Sequence, residues 1–259
     1  MKKILYLLLI IMSFTFTGCG KTYFAADSKN DFINSLSGSG NKETIDKNVL
    51  KNNANNKKNR NLSKEGNLSS IAKTTIALVN RSHIVDKNFT PASLTIPNVR
   101  FASYANSMVR KMDAEASKAL EDLFKSAKAD GIKLIAVSGY RDYSYQEMLY
   151  NNKVASAGEK EADKYVAKPG TSEHQTGLAM DVLSTEYTSL DEGFSNTDAY
   201  KWLVENSYKY GFIIRYPKGK ENITGYNYEP WHIRYVGIYA AAHITNQKTT
   251  LEEYLDMLV

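Results

Sequence analysis

The sequence predicts an α+β domain. Apolar residues recur at helical spacing in some stretches and form short β-branched or aromatic runs in others. The two kinds of stretch do not alternate regularly enough for βαβ units, and no internal repeat is present. The domain is placed at residues 71–259.

The elements follow in order. Met1-Lys2-Lys3 and the apolar run Ile4 to Met12 form a basic start and a hydrophobic stretch. The run falls short of the ~20 residues that a bilayer crossing needs, so residues 1–18 are expected to be an export signal. Gly18-Cys19 resembles the processing site of a bacterial lipoprotein, in which Cys19 becomes the lipidated first residue. An ordinary signal peptide or an uncleaved anchor would export the chain equally. Residues 19–70 are rich in Asn, Lys, Ser and Gly, with aromatics only at Tyr23, Phe24 and Phe32. Such a stretch cannot bury enough apolar surface to offset its ordering entropy and is expected to be a flexible tether.

Ile76 to Asn80 opens the folded part, and Pro91 and Ile96-Pro97 indicate an extended, wrapped segment. Tyr104, Met108, Met112, Ala116, Leu120, Leu123, Phe124 and Ala127 share helical spacing up to a stop at Gly131. A strand over Ile132 to Val137 leads into Ser138-Gly139-Tyr140-Arg141. Ser144-Tyr145-Gln146-Glu147 has capping-box spacing, predicting a helix that starts there and carries Gln146 close to Arg141. Pro169-Gly170 closes the next helical stretch. Strands are expected at Leu178 to Leu183, Phe212 to Tyr216 and Trp231 to Val236. A helix is expected from Thr197 to Tyr210, ended by Gly211, and a terminal helix follows a second capping box at Thr250-Leu251-Glu252-Glu253.

Composition narrows the chemistry. Cys19 is the sole cysteine, so the domain can hold no disulfide, catalytic thiol or cysteine-rich metal knuckle. Any metal must be held by nitrogen and oxygen. The formal charge of +5 suits an anionic surface such as a membrane or cell wall. It is too small, and too little interleaved with aromatics, to indicate nucleic acid.

His174 and Asp181 lie on either side of Gly177, so a loop can present the imidazole and turn into the strand that carries the carboxylate. His232, far along the chain, can join them. Two imidazoles and a carboxylate can fill three positions of a tetrahedral zinc site and leave the fourth open for water. Taken singly, each is equally compatible with a structural role. Glu229, three residues before His232, can act as a general base, or form an ion pair with Arg234. Pro230 restricts Glu229 to extended backbone, and Trp231 is expected in the core below the site. Arg141 offers a forked donor to a carboxylate or oxyanion, and Ser172 a hydroxyl near the metal. On local sequence alone Arg141 can equally be a salt bridge, Ser172 a turn cap and Gln146 a surface residue. His83 and His243 are expected to be structural or exposed, and the tyrosines of 216–228 to line a groove or pack.

Taken together, S-G-Y-R at 138–141, Gln146, S-x-H-x-x-G-x-A-x-D at 172–181 and E-P-W-H at 229–232 resemble the VanY-type D-alanyl-D-alanine carboxypeptidases and the related L,D-carboxypeptidases. The resemblance spans about Ala77 to Leu255. It implies the zinc peptidase fold shared with hedgehog domains, a small mostly antiparallel sheet flanked by helices, and one Zn2+ held by His174, Asp181 and His232. It further implies Glu229 as general base, Arg141 as oxyanion stabiliser, and Arg141, Gln146 and Ser172 as substrate contacts. The implied activity is removal of the C-terminal D-alanine from peptidoglycan stem peptides. Cleavage of the L,D bond of tetrapeptides is the alternative, and a non-catalytic wall-binding module of the same fold is a further one. The expected setting is a monomer on the outer face of the cytoplasmic membrane, held by a lipid anchor at Cys19, with no nucleic-acid partner.

Overall fold

The computed structural model describes residues 75–258. The expected signal, Cys19 and the tether lie outside the described residues. Among those described, no helix is long and apolar enough to cross a membrane.

The chain enters through turns and a two-stranded antiparallel ribbon, β1 (Leu94–Thr95) with β2 (Met112–Asp113). Helix α1 (Ala114–Ala129) follows, its first turn capped by the Asp113 carboxylate accepting from the Glu115 amide. Ala116, Leu120, Leu123 and Ala127 form its buried stripe. The helix is shorter than its spacing predicts, because Tyr104 and Met108 precede it in turns. There the Asn106 carboxamide accepts from the amides of Met108 and Val109, a local bond that competes with helix formation.

Strand β3 (Leu134–Ser138) leads to α2 (Tyr143–Ala157). The cap of α2 is Asp142, accepting from the Tyr145 amide at 2.7 Å, so the expected capping box at Ser144 falls inside the first turn instead. Helix α3 (Glu159–Tyr165) ends before Pro169-Gly170. A 3-10 turn, Glu173–Thr176, then feeds β4 (Ala179–Ser184). The expected helix to Tyr210 is α4 (Asp198–Asn206) followed by a 3-10 turn (Ser207–Tyr210), with Gly211 left-handed at its end. Strand β5 (Phe212–Tyr216), the single-turn α5 (Glu221–Thr224) and β6 (Glu229–Tyr235) follow. Helices α6 (Ile238–Gln247) and α7 (Leu251–Met257) close the chain, α7 with the Thr250/Glu253 capping box that its sequence predicts.

The main sheet has the order β3-β4-β6-β5 and is antiparallel throughout. Met180, Val182, Phe212 and Ile233 from the sheet join the stripe of α1 and Leu203 of α4 in the larger core. Met180 and Ile233 are directly paired, so alternation sends their neighbours Asp181 and His232 to the opposite side. At its far end that opposite side is covered by a second cluster in which Ile213 packs with Ala241, Ile244 and Leu251. Between cluster and solvent the sheet carries polar groups.

Candidate active site

Three adjacent strands bring the donors together. Ser138 pairs with Asp181, and Asp181 pairs with His232, so three elements distant in sequence share one row of one sheet face. The register slips on both sides of this row, between Ala136 and Ser138 on β3 and between Ile214 and Tyr216 on β5. The second slip places extra residues of β6 between Ile233 and Glu229. A regular strand would send Glu229 and His232, three apart, to opposite faces; the bulge turns both toward one cleft. Glu229 Oε2 lies 3.7 Å from His232 Nδ1.

His174 comes from the 3-10 turn before β4. Gly177 ends that turn at φ 72°, and its carbonyl accepts from the Asp113 amide. A Cβ there would sit 3.0 Å from the Asp113 nitrogen, so the tight entry into β4 calls for glycine. His174 Nδ1 donates to the Gly139 carbonyl at 2.7 Å, which fixes its tautomer and leaves Nε2 as the lone-pair nitrogen. That Nε2 is 3.5 Å from Asp181 Oδ1, and His232 Nδ1 is 3.2 Å from the same oxygen.

These three residues are the His/Asp cluster, among the described residues, that could hold a metal, with ligand atoms all within 4.8 Å of one another. Zinc bonds of ~2.0–2.2 Å at a tetrahedral angle put ligand atoms about 3.4 Å apart, which matches 3.2 and 3.5 Å. Asp181 Oδ1 is buried without a hydrogen-bond partner. A buried carboxylate oxygen between two imidazoles without a bonded proton suits a cation, so the donor set fits zinc.

The remaining predicted residues surround the cluster. Arg141 Nη1 donates to Ser138 Oγ at 3.0 Å and stands 3.6 Å from Asp181 Oδ2. Gln146 is buried in the first turn of α2 and donates to the Ala167 carbonyl at 2.8 Å. Its Oε1 has no hydrogen-bond partner, and with Arg141 and Ser172 it lines a cleft of about 460 Å³. All seven residues proposed for metal, catalysis and substrate therefore border one cavity.

Burial dominates the electrostatics. It raises the Glu229 carboxyl to about 7, helped by the charges of Asp181 and Glu173 and opposed by His232 and Arg141. Burial and the Arg141 charge lower His174 to about 4. For His232 burial opposes the charge, but the facing carboxylates of Asp181 and Glu173 win and raise it to about 9. Asp181 is held well below the carboxylate range, its burial outweighed by the two imidazoles.

Some lining residues carry a weak sequence signal or none. Tyr216 stacks at 4.9 Å on both His232 and Tyr226, and Tyr226 donates to the Thr171 carbonyl, so both belong to the cleft wall. Tyr228 faces Tyr200 instead. Trp231 is half-buried, packed against the larger core while also lining the cleft, not sunk beneath it. Glu173 pairs with Arg234, so the alternative Glu229–Arg234 pair does not form. His83 bonds to Asn80 on the surface and takes no part.

The chain is similar to known proteins. Residues 109–238 match a family model described as VanY, D-alanyl-D-alanine carboxypeptidase. A Bacillus subtilis (strain 168) protein named as a carboxypeptidase, YodJ, is 49% identical over 182 residues, covering 70% of this chain and 67% of that protein. The solved structure of the LdcB LD-carboxypeptidase is similar at 48% identity and a TM-score of 0.68, over 71% of this chain and 87% of that one. A zinc-bound variant of the vancomycin-resistance D,D-pentapeptidase VanY is similar at 39% identity and a TM-score of 0.58, over 70% of this chain and 98% of that one.

Proposed function

The chain belongs to the VanY family of D-alanyl-D-alanine carboxypeptidases, and on that premise we propose that it is the zinc carboxypeptidase that removes the C-terminal D-alanine of peptidoglycan stem peptides. The observation that carries the reading is the position of Glu229, its carboxylate 3.7 Å from His232 beside a His/Asp/His donor set and inside the same cleft as Arg141.

His174 Nε2, Asp181 Oδ1 and His232 Nδ1 are the atoms that would hold the ion. Zinc supplies a Lewis acid that polarises the scissile carbonyl and acidifies water. Glu229 takes the proton of the attacking water and hands it to the departing D-alanine amine. Burial raises its affinity for a proton, which favours taking one from water. Arg141, held by Ser138 and Asp181, faces the charge that develops on the attacked carbonyl. The Ser172 hydroxyl can donate to the peptide's terminal carboxylate, and the free Oε1 of Gln146 can accept from its amides.

The similarity to LdcB supports a second reading, cleavage of the L,D bond of tetrapeptide stems. Both reactions use the same donors and differ in the pocket for the residue before the cut. The test is release of D-alanine from purified muropeptide pentapeptide and tetrapeptide, followed by mass. The expected result is release from the pentapeptide that a chelator abolishes and that Glu229→Gln lowers by a factor of about 10²–10⁴ at unchanged zinc content. Release from the tetrapeptide alone selects the second reading, and release from neither selects a wall-binding module.

We also propose that residues 1–18 export the chain and that Cys19 is acylated, leaving a monomeric domain tethered by 19–70 outside the cytoplasmic membrane. The lone cysteine after Gly18 and the short apolar run support this. Cys19→Ser is expected to move the protein from the membrane to the soluble fraction; continued membrane residence of that variant refutes acylation as the anchor.

A further inference from the structure

Behind the donor cluster lies a charge network that the reaction does not consume. The side chains of Glu173, Arg215 and Arg234 are all 0% exposed. Glu173 Oε1 accepts from Arg215 Nε at 2.7 Å and from Arg234 Nη1 at 2.6 Å. Arg215 also donates through Nη1 and Nη2 to both carboxylate oxygens of Glu252 on α7, at 2.9 and 2.7 Å. Arg234 donates through Nη2 to the carbonyls of Thr75 and Ala77. One oxygen of Glu173 thus takes both guanidinium groups. The other, Oε2, is buried with no hydrogen-bond partner and lies 3.4 Å from His232 Nε2, which has none either.

Burying three ions is an expensive way to stabilise a sheet, and apolar residues of similar volume commonly do as well or better. The network therefore calls for a role that apolar residues cannot fill. We propose that Glu173 is a positioning residue for the metal centre: its Oε2 accepts from His232 Nε2–H, fixing the tautomer and ring angle that turn the Nδ1 lone pair toward Asp181 and His174. The proposal rests on the zinc peptidase reading for the identity of the ion.

The two imidazoles are then held in complementary ways. His174 leans on a neutral acceptor, the Gly139 carbonyl, and His232 on a carboxylate. An anionic acceptor strengthens the hydrogen bond and makes the coordinating nitrogen a better electron donor. Arg215 and Arg234 hold Glu173 in place from the opposite side and balance its charge. Glutamine cannot replace it: with its amide oxygen toward the guanidinium groups, its NH2 would meet the Nε2–H of His232.

The test measures zinc affinity of the full chain by competition with a chromophoric chelator, alongside urea denaturation. Glu173→Gln is expected to weaken zinc binding 10–100-fold. Glu252→Gln breaks the same network without touching His232, so it is expected to lower the denaturation midpoint and leave zinc affinity within about twofold. Unchanged affinity in folded Glu173→Gln, or equal losses in both variants, overturns the proposal.

Should Glu173→Gln fail to fold, nitrogen-15 spectra of histidine in the zinc-loaded wild type decide. A hydrogen-bonded, slowly exchanging proton on His232 Nε2 supports the assignment, and a proton on Nδ1 refutes it. These outcomes are independent of the substrate: tight zinc binding without D-alanine release sinks the proposed function alone, whereas normal release with unchanged affinity in Glu173→Gln sinks this inference alone.

Discussion

Glu229 faces two demands that pull in opposite directions. It must be ionised to take a proton from water, yet it sits where burial and two neighbouring carboxylates favour the protonated form. The bulge in β6 sets this compromise by turning the carboxylate inward beside His232. The compromise is measurable in metal-free protein. A carboxyl raised from 4.5 to about 7 binds its proton more tightly in the folded state, so its contribution to stability is full below pH 4.5 and is lost as pH rises to about 7. Glu229→Gln should therefore gain on wild type in urea denaturation between pH 4.5 and 7. A stability difference, variant minus wild type, that stays level or falls over this window contradicts the assignment. His232, raised to about 9 in part by the Glu229 charge, should add a fall between pH 6.5 and 9 that is smaller in Glu229→Gln than in wild type.

At the scale of elements, the site depends on how β3 leaves the sheet. The strand ends at Ser138, and Gly139 then runs so close to its neighbours that an added Cβ would meet the Lys111 carbonyl at 2.4 Å and the Met180 side chain at 2.8 Å. The carbonyl of the same glycine fixes His174. Gly139→Ala is therefore expected to cost more than about 2 kcal/mol in chemical denaturation and to weaken zinc binding as well. Gly131, just after α1, is the contrast, for its φ is +82° but an added Cβ would meet nothing within 4 Å. Gly131→Ala should cost only the ~1–2 kcal/mol of left-handed backbone and leave zinc affinity unchanged. Equal effects at the two positions would mean that the close approach at Gly139 does not control the site.

For the whole molecule, a metal held by His174, Asp181 and His232 would tie the 3-10 turn before β4 to strands β4 and β6, which lie far apart in sequence. A ligand that binds only the folded state stabilises it by RT ln(1 + [L]/Kd), about 4 kcal/mol at a thousandfold excess over Kd. Chelation should accordingly lower the thermal midpoint by several degrees or more, and zinc should restore it; a midpoint indifferent to both would exclude a shared metal. How much of this was legible beforehand differs from residue to residue. His174, Asp181, His232, Glu229, Arg141, Gln146 and Ser172 stand in compact local patterns, and the mixed α+β character follows from short apolar runs between helical stripes. Local chemistry also marks the C-terminal capping box at Thr250 and the extent of β5 over Phe212–Tyr216. Capping by Asp142 and the Asx turn at Asn106 displaced two helix starts, because a side chain that satisfies backbone amides competes with the pattern used to place them. The sequence held no sign that Glu173, Arg215 and Arg234 form one network: charged residues ordinarily read as surface, and only the tertiary fold buries these three together. Sequence by itself determined which residues could hold a metal and move a proton. The tertiary structure decided which way each imidazole turns and what stands behind it, since those depend on sheet register and long-range burial that no local spacing encodes.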